Sequence, residues 1–378
     1  MFSQHAEWHT YSEAINLRSI RPIMKILPSM LVIGLAFVLI GCNGKHDTGE
    51  SPHNSSTNVS SGTTETLIIY SGRSESLIQP LLDQYTKDTG ASVAVKYAKS
   101  TTLAALILEE GERCPADVVL FQDPGALGVL SQANMFNLLP NSILNRVDSK
   151  YRARSNDWVG TSGRVRTVVY NTDSIDPKKD LPASILDFTA PKWQGRLGWA
   201  PTNGSFQAFV TAMRMQIGDD ETLAWLKGIQ ENNPQVYPKN TPIVRAAGNG
   251  EIDAGFVNHY YLYRFIAEEG IEFKARNHFL SNTDPGSLLL VSGTGILKTS
   301  ENLDGAERFI GYLLSNPAQT YFSEEINEYP LAGDIPPNPN LDPPLTPLNQ
   351  VNAPDIDLSK LQDLEGTLNL LRQSGVLP

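Results

Sequence analysis

The chain has 378 residues, 40% of them hydrophobic, with two cysteines and a net charge of −11. That acidity argues against nucleic acid as a partner, and two cysteines are too few for a disulfide-framed scaffold. It does not exclude an anion site, because a pocket can be locally basic inside an acidic molecule.

In chain order, Arg18, Arg21 and Lys25 precede an uncharged run of 16 residues, Ile26 to Gly41. A bilayer span needs about 20 apolar residues, so this length suits the core of a signal peptide. The run ends in Leu39-Ile40-Gly41-Cys42, which resembles a bacterial lipobox. Residues 1–41 therefore read as a lipoprotein signal peptide, cut before a lipid-carrying Cys42, with a plain membrane anchor as the alternative. Met24 is a second candidate start. Without residues 1–41 the chain keeps 27 basic and 39 acidic side chains, a net charge of −12. Once Cys42 is lipidated no intrachain disulfide is possible, and Cys114 reads as a small packed residue. Residues 42–65 are rich in Ser, Thr and Gly without apolar periodicity and read as a flexible tether.

The globular body begins near Leu67, and its roughly 310 residues suggest two domains or lobes. TLIIYSGRSE predicts a strand from Thr66 to Tyr70 and a turn at Gly72. Leu77, Ile78, Leu81, Leu82 and Tyr85 then fall at helical spacing, up to a stop at Asp88-Thr89-Gly90. ASVAVKYA reads as a strand, TLAALILEEGE as a helix and ADVVLF as a buried strand. This alternation is the pattern of an α/β layer with parallel strands. It recurs later. RVRTVVYN, AGFVN and SLLLVSGTGIL read as strands. SFQAFVTAMRMQIG, DETLAWLKGIQEN, IVRAAGNG, YYLYRFIAEEG and LDGAERFIGYLLS read as helices. Strands near Ser162–Val168 and Leu288–Ile296 are expected to cross between two α/β units. Beyond Pro330 the Pro-rich IPPNPNLDPPLTP reads as a surface wrap, followed by a last helix from Leu358 to Gln373. There is no nucleotide-type Gly-rich loop, HExxH, Cys/His metal spacing or GxSxG.

The blocks YSGRSE, EEGERCPADVVLFQDPGALGVLS, DWVGTSGRVRTVVYNT, PTNGSFQAF, YPKNT, NGEIDAGFVNHYYLYRF, DPGSLLLVSGTGILK and EYPL occur in this order. Together they resemble the ferric-ion-binding substrate-binding proteins of bacterial ABC importers, from Leu67 to Leu331. The resemblance implies an α/β, two-lobed periplasmic-binding-protein fold. Each lobe would be a mixed sheet flanked by helices, and crossing strands would form the hinge. Residues 66–165 and 290–340 would form the first lobe, 166–289 and 341–378 the second. It implies Tyr260 and Tyr261 as metal ligands, with Arg164, Asn203, Gly204, Ser205, Asn240 and Asn258 around a bound anion and Arg166 nearby. It further implies Fe3+ as the cargo, carbonate or phosphate as a synergistic anion, and an ABC permease as the partner. The protein would be a monomer, not an enzyme, lipid-tethered to the cytoplasmic membrane and facing the periplasm or exterior. Three positions depart from the family pattern. Ser74 stands where many members have a histidine ligand, Gln122 where some have a carboxylate, and PTNGSF lacks the tyrosine some carry there.

The residues themselves point the same way. Beyond Glu65 there are only two histidines, His259 and His278, and one cysteine, Cys114, which argues against copper or zinc. Phenols are ordinarily neutral, with a pKa of about 10, but a strongly charged cation can expel their protons. At the first turn of a helix, Tyr260 and Tyr261 would lie about 100° apart and both reach a cleft. As plain aromatics, one would pack and one would reach water. Arg164 offers a bidentate fork to an anion or a hinge salt bridge. Gly204 and Ser205 offer backbone donors at a helix start. Arg73 reads as a cleft residue or a solvated turn residue, and His259 as a ligand or as pointing away. Tyr170, Tyr263 and Tyr329 read as core or surface aromatics. Two further functions remain open: a receptor for an anion such as phosphate or phosphonate without metal, and a hydrolase using Ser74 or Ser205. No histidine lies at motif spacing to either serine.

Overall fold

The computed structural model describes residues 65–378 apart from 281, 282 and 352. The expected signal peptide, Cys42 and all but the last residue of the tether lie outside the described residues. What is described belongs to one compact unit. Among the described residues no helix is long and apolar enough to cross a membrane.

The chain opens as its periodicity predicts. β1 (Leu67–Ser71) is buried on both faces, as strands of a helix-covered parallel sheet are. α1 (Glu75–Thr89) turns Ile78, Leu81, Leu82 and Tyr85 inward and stops where Gly90 takes φ 70°, its N–H reaching the Thr86 carbonyl. β2 (Val93–Tyr97), α2 (Ser100–Glu110) and β3 (Val118–Phe121) follow, with β1 parallel to both β2 and β3. α3 (Pro124–Gln132) and the short α4 (Asn141–Leu144) have no counterpart in the sequence reading. PGALGVLSQ carries two glycines, poor helix formers. Burial of Ala126, Leu127 and Leu130 and an Asp123 cap, whose Oδ1 accepts the Ala126 N–H at 3.3 Å, hold α3 instead.

β4 (Val159–Asn171) is buried over all 13 residues and is longer than predicted. Then come β5 (Leu197–Trp199), α5 (Gly204–Ile217), α6 (Asp219–Glu231), β6 (Gln235–Val236), α7 (Asn240–Gly248), β7 (Ala254–Asn258), α8 (Tyr260–Glu269) and β8 (Ala275–His278). β9 (Leu289–Ile296), α9 (Leu303–Leu313), α10 (Asn316–Glu324), β10 (Tyr329–Pro330) and α11 (Leu364–Gln373) complete the order. The predicted last helix is broken: Leu358–Gln362 form a 3-10 turn, and α11 restarts beyond Asp363.

The strand order is β2-β1-β3-β9-β4-β7-β5-β6. β4 joins two half-sheets. Its residues up to Val165 pair antiparallel with β9, and β9 pairs with β3. From Arg166 onward β4 pairs antiparallel with β7, and from Val168 also with β8. β5 lies parallel to β6 and β7. The Arg166 N–H donates to the Leu288 carbonyl at 2.8 Å, so the two chain crossings lie side by side. An aromatic cluster of Phe188, Trp193, Phe206, Phe209, Trp225 and Phe256 fills the second half. Each such ring stabilises by roughly 1.5–3 kcal/mol on burial, which makes that half a firm wall for what stands on it.

Candidate functional site

A cleft of about 640 Å3 lies where the two half-sheets meet, lined from both sides. On one wall β7 runs into α8 with only His259 between them. Tyr260 is therefore the first residue of the helix, and the first-turn condition is met: both tyrosines line the cleft. Their rings stack with centroids 4.2 Å apart. Arg264, a turn further along the same helix, lies over both rings at 5.3 and 5.5 Å, a cation–π contact. Tyr260 is 4% exposed. Burial pushes its phenol well above the usual 10, the Tyr261 phenol adds to this, and Arg164 opposes it.

Asn203 caps α5, its Oδ1 accepting the Ser205 N–H at 3.1 Å and the Ser205 hydroxyl at 2.6 Å. Asn240 opens α7 and donates its amide to the Ser205 Oγ at 3.1 Å, leaving its own Oδ1 without a partner. Three helix N-termini of this wall, α5, α7 and α8, thus gather at one place. That arrangement favours negative charge. Asn203, Gly204, Ser205, Asn258, Tyr260, Tyr261 and Arg164 all line the cleft. Asn240 stands behind Ser205.

The two arginines of β4 divide their work. Arg164 donates Nη2 to the backbone carbonyls of Gln122 and Val291, so it ties to carbonyls rather than forming a hinge salt bridge. Its Nε has no partner. Arg166 donates Nη1 to the Asn258 Oδ1 at 3.0 Å, sits 5.3 Å from the Phe209 ring and leaves Nη2 without a partner. Burial lowers its pKa to about 9, with Tyr261 and Tyr260 acting against that.

On the opposite wall Gln122 lines the cleft and its side-chain Oε1 is buried without a partner. Ser74 is exposed and does not line it. Both readings of Arg73 are corrected. It is neither in the cleft nor solvated: its guanidinium is buried against Glu328 at 3.1 Å, with Ser162 and Ser292. Glu328 is its carboxylate partner, far away in sequence, so residue order held no signal for the pair. His259 is also turned away. Its Nδ1 accepts the Val165 N–H at 3.1 Å, and its Nε2 lies 2.9 Å from the Asn327 carbonyl. Burial holds it neutral, at about 4. His278 lies against the Pro182 carbonyl, so neither histidine is placed as a base for Ser74 or Ser205. Among the described residues no three His, Cys, Asp or Glu side chains gather to hold a metal. Burial likewise pushes the Cys114 thiol up to about 12.

Several cleft residues escaped the sequence reading. Asp123, Lys99, Ser100, Thr101 and Lys239 line it, as do Leu361, Gln362 and Leu364 near the C-terminus. Burial pushes the Asp123 carboxyl upward, and Arg164 opposes this. The dipeptide Asp123-Pro124 was a readable signal, since Asp before Pro marks a helix start. Nothing local marked the C-terminal residues.

A sequence profile of the bacterial extracellular solute-binding proteins matches residues 114–360. The major ferric iron-binding protein of Neisseria meningitidis is 37% identical over 313 residues, covering 82% of this chain and 93% of the relative. The iron-bound HitA structure from Pseudomonas aeruginosa is 32% identical with a TM-score of 0.75, over 82% of this chain and 99% of that one. A Trichodesmium structure (IdiA, FutA) in complex with iron and citrate is 26% identical with a TM-score of 0.74, over 82% and 100%.

Proposed function

Because the chain belongs to the bacterial extracellular solute-binding protein family, we propose that its cleft captures ferric iron and delivers it to an ABC permease. The hydrolase reading falls with that membership, since the family binds and hands over solutes. One observation carries the iron reading: two stacked phenols at the first turn of α8, on the wall of a cleft short of nitrogen and sulfur ligands. Paired phenolates suit a hard trivalent ion. Since burial raises the Tyr260 pKa, that phenol keeps its proton at neutral pH, and metal binding must displace it. Affinity therefore rises with pH and falls on acidification. Two phenolates leave coordination positions open, and a carbonate or phosphate anion fills some of them. The donors for that anion are the N-terminal amides of α5, Ser205, Asn258 and the partnerless edges of Arg164 and Arg166. The protein is a lipid-anchored monomer, held through Cys42 to the cytoplasmic membrane and facing the periplasm or exterior.

A second reading rests on the same donors. Partnerless guanidinium edges and three helix N-termini suit an oxyanion by itself, with the tyrosines as hydrogen-bond donors. A visible absorption titration separates the two. Ferric citrate added with bicarbonate is expected to give a broad phenolate-to-iron charge-transfer band. Tyr260→Phe and Tyr261→Phe are expected to lose it. A wild-type protein that stays colourless, while phosphate raises its melting temperature, overturns the iron reading in favour of the anion.

A further inference from the structure

The C-terminal segment touches both walls of the cleft. Its 3-10 turn, Leu358–Gln362, lies on α3, and α11 lies on α5 and α6. Only Asp363 stands between the two pieces. Leu361, Gln362 and Leu364 border the cleft itself, between Gly125, Ala126 and Val129 of α3 and Gln207, Ala208 and Thr211 of α5. α3 carries Asp123 at its start and α5 carries Asn203 and Gly204, all of which line the cleft, so this segment joins two helices that both begin at the site.

Both attachments combine apolar and polar contacts. On α3 the turn buries Leu358 and Leu361, and its backbone lies so close that only glycine fits below. A methyl group at Gly125 would come within 2.8 Å of the Leu361 carbonyl oxygen, and one at Gly128 would overlap the Ser359 carbonyl. On the other side Arg214 of α5 pairs with Asp363 at 2.9 Å and donates to the Thr367 hydroxyl at 3.1 Å. The Thr211 and Thr367 hydroxyls meet at 2.7 Å in the interior, and Leu370 and Leu371 are buried. The α11 side is held by charge, hydrogen bonds and apolar contact together. The α3 side is held by two leucines, a fitted backbone, the Gln362 side-chain amide donating to the Gly128 carbonyl at 2.9 Å, and Asp357 beside Arg154 at 3.7 Å.

We propose that residues 357–373 are a strap across the cleft that favours the closed arrangement, released at one of its ends when the lobes part. With a joint of one residue, the lobes cannot separate at α3 and α5 while both ends stay attached. Detaching either end makes the strap slack, and further detachment then changes nothing. This non-additivity distinguishes a strap from two local stabilising contacts.

The test uses Gly128→Ala, which lifts the α3 end, Arg214→Ala, which loosens the α11 end, and the pair together. A fourth variant inserts Gly-Ser-Gly-Ser between Gln362 and Asp363, lengthening the joint while leaving both contacts intact. Small-angle scattering of the ligand-free protein is expected to show the same increase in radius of gyration for all four. This measurement needs no metal, so it decides the strap even if the iron reading fails. Where ferric ion binds, its loss to excess EDTA is expected to accelerate on the order of tenfold in each variant, with the double variant no faster than the singles. Unchanged dimensions in the insertion variant overturn the proposal, as does a double variant whose effect is the product of the two singles. Should Gly128→Ala fail to fold, the insertion alone decides.

Discussion

In the proposed iron site Tyr260 and Tyr261 carry the chemistry, and Arg166 is one of the cations that act on them, with Arg164 and Arg264. The Arg166 Nη2 is buried and partnerless, and its other edge is fixed by Asn258. A guanidinium held there favours negative charge on the nearby phenols. Arg166→Met is thus expected to weaken ferric binding and to move the pH at half-saturation upward in the absorption titration. Wild-type binding should release about two protons per ion at neutral pH, measurable in weakly buffered solution. Arg73 tests a different principle. Removing it leaves Glu328 charged and buried, so Arg73→Ala should cost about 3–5 kcal/mol in urea unfolding. Burial pushes the Glu328 carboxyl up, but Arg73 and Arg164 outweigh it and leave it below the usual 4.5. A carboxyl with a depressed pKa adds stability above its unfolded pKa and loses it as the pH falls through the folded value. Stability should therefore drop below about pH 4.5, and Glu328→Gln should flatten that drop. The tyrosine pair was legible because its neighbours Asn258 and His259 sit beside it in sequence. The Arg73–Glu328 pair was not, because its members meet only once β10 lies against β4.

Elements were readable where periodicity and burial agree. α1 and α5 show one apolar face each, and β1, β3 and β7 are short buried runs. α3 failed because its glycines look like a loop while its function is to lie close under another backbone. β5, β6, β8 and β10 are two to four residues long, too short for alternation to register. Asp123 was missed with α3. Because its carboxylate caps that helix and also borders the cleft, two substitutions separate the roles. Asp123→Ala should cost about 1 kcal/mol through the lost cap, read as a lower urea midpoint. Asp123→Asn keeps a capping oxygen and should leave stability close to wild type, while removing a negative charge beside Arg164 and so tightening the binding of the anion. Equal losses of stability in both variants would show that the charge, not the cap, holds α3.

At the scale of the whole molecule, β4 passes unbroken from one half-sheet to the other, so the lobes share a strand rather than a loose linker. Hinge closure around a ligand is the established motion for such an architecture. Ferric citrate with bicarbonate is expected to reduce the radius of gyration of wild-type protein and to leave that of Tyr260→Phe/Tyr261→Phe unchanged. The two-lobe organisation was visible from the recurring strand-helix pattern. The bridging C-terminal segment was not, because its partners are glycines of α3 and polar groups of α5. β4 has one more effect. Arg164 and Arg166 lie two residues apart on it, one tied to Gln122 and Val291, the other to Asn258 and Phe209. Along a strand that separation is roughly 6.6 Å between Cα atoms, and the change of pairing partner from β9 to β7 falls between them. The two cations thus stand on either side of that switch, and bending of β4 there changes the spacing that an anion held by both would meet. Through this one strand, anion capture and lobe closure become coupled events.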